Sequence, residues 1–277
     1  MKHYFLLLML ATLATTAQTS YKVMTYNIRL DIASDGDNRW DNRKALLATQ
    51  VKFHDPDFLG VQEALPQQMQ YLDSTLADYK PIGVGRDDGK DKGEYSAIFY
   101  KDKKFKMLQQ STFWLSETSG VPSKGWDAAY NRVCTYGLFE NRDTKQKIFV
   151  FNTHFDHVGT VARVESVKLI LQKIKELNKD NLPFVVMGDF NLEPETDAVS
   201  EMKKELLDTH DAAKLTFGPT GTFNAFEFHK PVTKRIDYIF IPKTGLETKK
   251  YAILSDSKDC RYPSDHLPVF VELVVKR

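Results

Sequence analysis

Apolar runs that stop abruptly at polar groups set the pattern of this chain. Thr25-Tyr26-Asn27 closes one run, Gly60-Val61-Gln62-Glu63 a second, Asn152-Thr153-His154-Phe155-Asp156 a third and Gly188-Asp189-Phe190-Asn191 a fourth. Ser264-Asp265-His266-Leu267-Pro268 follows near the C-terminus. The pattern predicts strands over 21–28, 58–62, 184–188, 236–241 and 269–275. Segments 94–100, 105–115, 132–140 and 147–153 also read as strands, with no helix between them, which favours antiparallel pairing. Helical spacing covers 42–54, with Leu47 and Val51 inward. It returns at Leu65, Met69, Leu72 and Leu76, where Pro66 suits a first turn. Val164, Val167, Leu171 and Ile174 mark the longest helix, and 197–206 a further one. The Gly- and charge-rich stretch 83–93 reads as an exposed loop at a cleft mouth.

Residues 1–19 read as a secretory signal peptide: Lys2 and His3, an apolar stretch from Phe5 to Leu13, then small residues before Gln18. An exported protein, periplasmic or secreted, is therefore expected. No later segment has the 18 or so apolar residues of a membrane span. Residues 20–277 contain no repeat, low-complexity tract or linker and read as one domain, expected to be monomeric. The chain has 38 basic and 37 acidic side chains. Removing the leader takes away only Lys2, so the mature protein is neutral and lacks the basic excess of tight nonspecific nucleic-acid binding. Only Cys134 and Cys260 are present, in no metal-ligand spacing, and whether they pair stays open.

Five strand ends of this kind suggest one cleft of hard oxygen ligands plus two histidines, the equipment of metal-assisted phosphate-ester chemistry. Taken singly, each has an ordinary reading. Glu63 is an exposed strand-end carboxylate, Asn27 a turn former, and His154 a satisfied core histidine as readily as a site residue. Together with Asp265, Asn27 and Glu63 supply what Mg²⁺ prefers. Asp189 and Asn191, at i and i+2, can hold one water with the carboxylate as proton acceptor, or form an Asx turn leading to the next helix. An acidic partner would keep His154 protonated. Asp237 is a carboxylate in a very apolar strand and needs a partner, for which His266 is the candidate.

The set TYNIR, QE, NTHFDH, GDFN, IDYIF and SDHLPV, in this order, resembles the endonuclease/exonuclease/phosphatase superfamily from Thr25 to about Val271. GDFN with a terminal SDH is the specific part. The resemblance implies a four-layer α/β sandwich, two mainly antiparallel sheets face to face with helices outside. It makes Glu63 the metal-binding glutamate, with Asn27 and Asp265 close to a Mg²⁺ or Mn²⁺ ion. Asp189 orients or deprotonates the attacking water and Asn191 helps place it. His154 and His266 stabilise charge on the phosphoryl oxygens, and Asp237 buttresses His266. Glu94 matches the position that supports the first histidine, and Arg132 a phosphate-contacting arginine.

The departures concern substrate. Pancreatic deoxyribonuclease carries a groove-entering arginine where this chain has Ala64-Leu65-Pro66. The apurinic endonucleases carry Asp at Arg29 and Tyr at His154. Trp40, Trp114 and Trp126 could stack on a base or sugar, but core or loop packing is the better expectation. The expected activity is metal-dependent hydrolysis of a phosphate ester, a diester first. A secreted nuclease is the alternative, and a catalytically inactive phosphate-binding protein the alternative of another class.

Overall fold

The computed structural model describes residues 19–276; apart from Thr19, the expected leader lies outside them. The chain runs β1 (Ser20–Asn27), α1 (Trp40–His54), β2 (Phe58–Ala64), α2 (Pro66–Thr75), β3 (Tyr79–Ile82), β4 (Tyr95–Lys101), β5 (Phe105–Trp114), β6 (Val133–Asn141) and β7 (Lys147–His154). It continues α3 (Thr160–Leu177), β8 (Phe184–Asp189), α4 (Asp197–Glu205), β9 (Leu206–Asp208), α5 (Thr209–Ala212), β10 (Thr216–Phe217), β11 (Asp237–Pro242), β12 (Leu246–Ile253) and β13 (Val269–Val275).

Two mixed sheets result. One has the order β10-β12-β13-β1-β2-β4-β3, the other β5-β6-β7-β8-β11-β9. Strand alternation explains why they stack. Tyr21 and Val23 of β1, Phe58 of β2, Ile148 and Val150 of β7, Val185 and Met187 of β8, and Ile239 of β11 all point into one core between the sheets. The intervening residues face outward. Met24, Tyr26, Leu59 and Val61 pack under α1 and α2, while Phe149, Phe151, Val186 and Phe240 pack under α3 and α4. The four expected layers follow. The run of four strands is divided: β5, β6 and β7 form an antiparallel meander, but β4 lies in the other sheet, paired with β2 and β3.

Each sheet is centred on a parallel pair, β1 with β2 and β7 with β8. Their C-terminal ends lie together, and there the inward-facing positions turn polar. Directly beneath, Asn152 ties the sheets to each other. Its Nδ2 donates to the Val61 carbonyl (2.9 Å) and the Ala97 carbonyl (2.8 Å), and its Oδ1 accepts from Gln62 Nε2 (2.7 Å). Gly60 makes this approach possible, since a Cβ there would lie 2.7 Å from Asn152 Oδ1 and from Met187 Cε.

Candidate active site

Three site residues stand side by side on adjacent strands of the second sheet. His154 is in register with Asp189 across β7–β8, and Asp237 with Asp189 across β8–β11. Each continues the inward-facing parity of its strand, so the row faces the first sheet. Gly188 lets β8 lie close to β7: its φ is +151° and a Cβ would meet the Thr153 carbonyl oxygen at 2.0 Å. Asn27 reaches the row from β1, its Nδ2 donating to Asp189 Oδ2 and to Glu63 Oε1, both at 2.9 Å. Alternation along β2 would send Glu63 outward with Val61. A register shift between Val61 and Ala64 and a left-handed φ of 62° at Glu63 turn it inward instead. The Leu30 amide then donates to Glu63 Oε2 at 3.1 Å.

The two oxygens of Asp189 sit in different settings. Asp189 Oδ1 accepts from the Asn191 amide at 2.8 Å, forming the turn. Oδ2 accepts from Asn27 and faces His154 Nε2 at 3.5 Å and His266 Nε2 at 3.8 Å. Burial first, then the charge of Asp237, raise the Asp189 pKa to about 7, against the opposing pull of His266 and of the Asn27 hydrogen bond. That poises a carboxylate for proton transfer near neutrality.

His266 has its partner: Nδ1 lies 2.8 Å from Asp237 Oδ2. Burial opposes the imidazolium, but Asp237, Asp189 and Asp265 outweigh it and raise the pKa well above the usual value. His154 goes the other way. Burial, then Arg132 and Arg86, press its pKa well below the usual value. The acidic partner expected to keep it protonated is engaged elsewhere: Glu94 Oε2 is 3.9 Å from His154 Nδ1 but 2.6 Å from Arg86 Nη1. The Asn191 side-chain Nδ2 donates to the Phe155 carbonyl (3.0 Å) and contacts His154 Nε2 at 3.1 Å, which makes Nε2 the acceptor of a neutral ring.

The donor set fits a hard divalent cation. Glu63, His154 and Asp189 each offer a ligand atom within 4.8 Å of the others. Asp265 adds a carboxylate whose pKa burial and the Glu63 charge raise, with His266, Arg29 and Arg43 pulling the other way. Arg29 only partly balances this negative charge, at 3.9 Å from Glu63 and 3.8 Å from Asp265, because its strong hydrogen bonds go to Asp35. Carboxylates crowded with so little compensation attract a cation. Asn27 turns its amide nitrogen, not its oxygen, towards Glu63 and Asp189, since its Oδ1 accepts from the Arg29 amide at 3.0 Å. In this arrangement it tethers the carboxylates.

The cleft over the row encloses about 860 Å³. Arg132 lines it, held by Asp156 at 3.4 Å. The 83–93 loop does reach the cleft, through Arg86, which sequence reasoning did not single out. Two other features differ from the polar strand ends. Trp40 and Trp114 are buried, and among the described residues Tyr130 and Phe223 line the cleft but no tryptophan does. Cys134 is buried, Cys260 is exposed, and both are free.

Residues 24–266 match the Endonuclease/Exonuclease/phosphatase family. A solved member of that family from Bacteroides thetaiotaomicron is 40% identical, with a TM-score of 0.90 and coverage of 94% of this chain and 99% of that one. A mannosyl-6-phosphatase of the same organism is 41% identical, with a TM-score of 0.88 and coverage of 92% and 99%. The Mycosarcoma maydis exoribonuclease subunit Ccr4 of the CCR4-Not complex is 23% identical over 94% of this chain and 51% of its own. The chain thus spans about half to two thirds of the length of the first curated relatives it matches. By its motifs, its paired sheets and its polar row, the chain belongs to the endonuclease/exonuclease/phosphatase family, whose members are hydrolytic phosphoesterases.

Proposed function

We propose that the protein is a divalent-metal-dependent hydrolase of phosphate esters carried on small polar, carbohydrate-like molecules. The observation that carries this reading is the row of His154, Asp189 and Asp237 on adjacent strands, with a Glu63 oxygen within 4.8 Å of the ligand atoms of His154 and Asp189. Asp189 takes a proton from water held with Asn191 as the water oxygen forms its bond to phosphorus. The phosphorus–oxygen ester bond breaks and the departing alkoxide is protonated by solvent. His266, kept as imidazolium by Asp237, stabilises charge on the phosphoryl oxygens, and His154, whose neutral Nε2 accepts, fixes the Asn191 side chain beside them. Glu63 and Asp265 would hold Mg²⁺ or Mn²⁺, which supplies Lewis-acid stabilisation of the same oxygens when bound.

Two observations support a small substrate. The cleft volume suits one compact ligand, and the mannosyl-6-phosphatase is similar over nearly the whole chain. The similarity to Ccr4 favours the nuclease as second reading. Purified protein with Mg²⁺ is to be offered mannose 6-phosphate, bis(p-nitrophenyl) phosphate and single-stranded RNA. Hydrolysis of the sugar phosphate well above the RNA is expected. RNA degradation with no release of phosphate from sugar phosphates would overturn the reading.

A further inference from the structure

Phe223 is a half-buried ring that lines the cleft and joins none of the three buried cores. Backbone pairing sets its place. It is bridged antiparallel to His266 on one side and to Lys234 on the other. Directly opposed residues send their side chains to the same face, and all three line the cleft. They form a second row that runs outward from the reacting centre. The His266 imidazolium comes first, then the Phe223 ring with its centroid 5.0 Å away, then the Lys234 ammonium.

This row is held in register with the residues that do the chemistry. The Phe223 amide donates to the Lys234 carbonyl at 3.0 Å, and the Asn224 amide to the Asp265 carbonyl at 2.8 Å. Thr222 Oγ1 accepts the amides of Ile236 (3.0 Å) and Asp237 (3.2 Å). Gly221 lets the two arms close, since a Cβ there would lie 2.4 Å from the Thr233 carbonyl carbon. At the outer end Lys234 is exposed, with no side-chain hydrogen bond or ion pair among the described residues. Lys230, on the same ribbon, is spent on Glu227 at 2.8 Å. An aromatic ring outside any core, rigidly held between a charged histidine and a free ammonium, has the make-up of a ligand wall.

We propose that Phe223 is the platform for the leaving group, which is the ring of a sugar phosphate, and that Lys234 binds hydroxyls on the ring's outer edge. The inference rests on the hydrolase reading above and deepens it. A sugar ring has a face of C–H groups and an edge of hydroxyls. The C–H face suits the negative face of an aromatic ring, and the hydroxyl oxygens accept from an ammonium, which only donates. Neighbouring strands lie about 5 Å apart, roughly the width of such a ring. With the phosphoryl group at His266, the ring falls on Phe223 and its far edge on Lys234. An open chain has no face to lay on Phe223 and gains little from it.

The test compares mannose 6-phosphate with mannitol 1-phosphate, an open chain with the same kind of primary ester, and with adenosine 5′-monophosphate, all with Mg²⁺. Phe223→Leu keeps apolar bulk and removes the ring. It should lower kcat/KM for mannose 6-phosphate by about tenfold or more and for the open chain by about threefold or less. Phe223→Tyr should restore the preference for the ring. Lys234→Gln should raise KM for mannose 6-phosphate by about fivefold or more and move kcat by less than about threefold. Calorimetric Kd for the isosteric phosphonate of mannose 6-phosphate, which is not hydrolysed, should weaken about tenfold in Phe223→Leu. Equal losses on the cyclic and open-chain esters would overturn the platform and leave the hydrolase reading standing. A larger loss on the nucleotide than on the sugar would assign the ring to a base and overturn the sugar assignment. Phe223-dependent phosphonate binding without hydrolysis of any ester would keep the platform and overturn the hydrolase reading.

Discussion

At the scale of single residues, two histidines within 4 Å of the same carboxylate oxygen carry different charges, and the difference lies in their second neighbours. His266 meets Asp237, whereas His154 meets a glutamate already taken by Arg86. Asp189 between them must be ionised to accept a proton, and its pKa is raised. Activity is therefore lost as pH falls through that value: kcat/KM should fall about tenfold per pH unit below about 7. A cation beside Asp189 favours the carboxylate, so the limb should move to lower pH as Mg²⁺ rises. A flat profile from pH 5 to 8 would contradict this. Asp189→Asn keeps the shape and removes the base, so kcat should fall about 10²-fold or more while KM changes far less. Near wild-type turnover would make Asp189 a turn residue only. The strand-end residues were legible because each ends an apolar run. Arg86 was not, since it sits in a stretch of glycines and charges that reads as solvated loop. The Trp114 indole, donating to the Arg86 carbonyl at 2.7 Å, folds that loop back.

At the scale of elements, the site depends on the distance between two sheets, which Gly60 and Asn152 fix. Asn152→Leu would strand the carbonyls of Val61 and Ala97 and the Gln62 amide, at about 1–3 kcal/mol each. Gly60→Ala would force Asn152 or Met187 aside, at about 1–3 kcal/mol. Urea unfolding should show both losses, with the larger for Asn152→Leu, and unchanged midpoints would contradict the bridge. Helices α1 to α4 and the long strands follow from their periodicity. The strand β12 does not: a register shift between Thr248 and Lys250 puts Thr248, Tyr251 and Ile253 inward and breaks the alternation. The short β3 and β9 offer too few residues for a period to show. The same kind of irregularity hides how Glu63 turns inward, although Glu63 itself was legible as an acid after an apolar run.

At the scale of the whole molecule, charge is balanced overall, and Arg29, Arg86, Arg132, Arg163 and Lys234 line the cleft. A nuclease gripping several phosphates releases counterions at each and loses affinity steeply with salt. KM for the favoured ester should change by less than about threefold between 50 and 200 mM NaCl. A collapse over that range would point to an extended polyanion. Pairing of the sheets was legible from the mix of elements only through family resemblance, because which sheet a strand joins depends on contacts far apart in sequence. The central claim is that Glu63, Asp265 and Asp189 run metal-dependent phosphate-ester hydrolysis. Its most direct measurement is the initial rate of phosphate release from mannose 6-phosphate by wild type and Glu63→Gln, each with Mg²⁺ and with excess chelator. We predict release by wild type with Mg²⁺, loss in chelator, and a rate at least about 10²-fold lower in a folded Glu63→Gln. Full activity in chelator, or an unimpaired Glu63→Gln, would contradict the account.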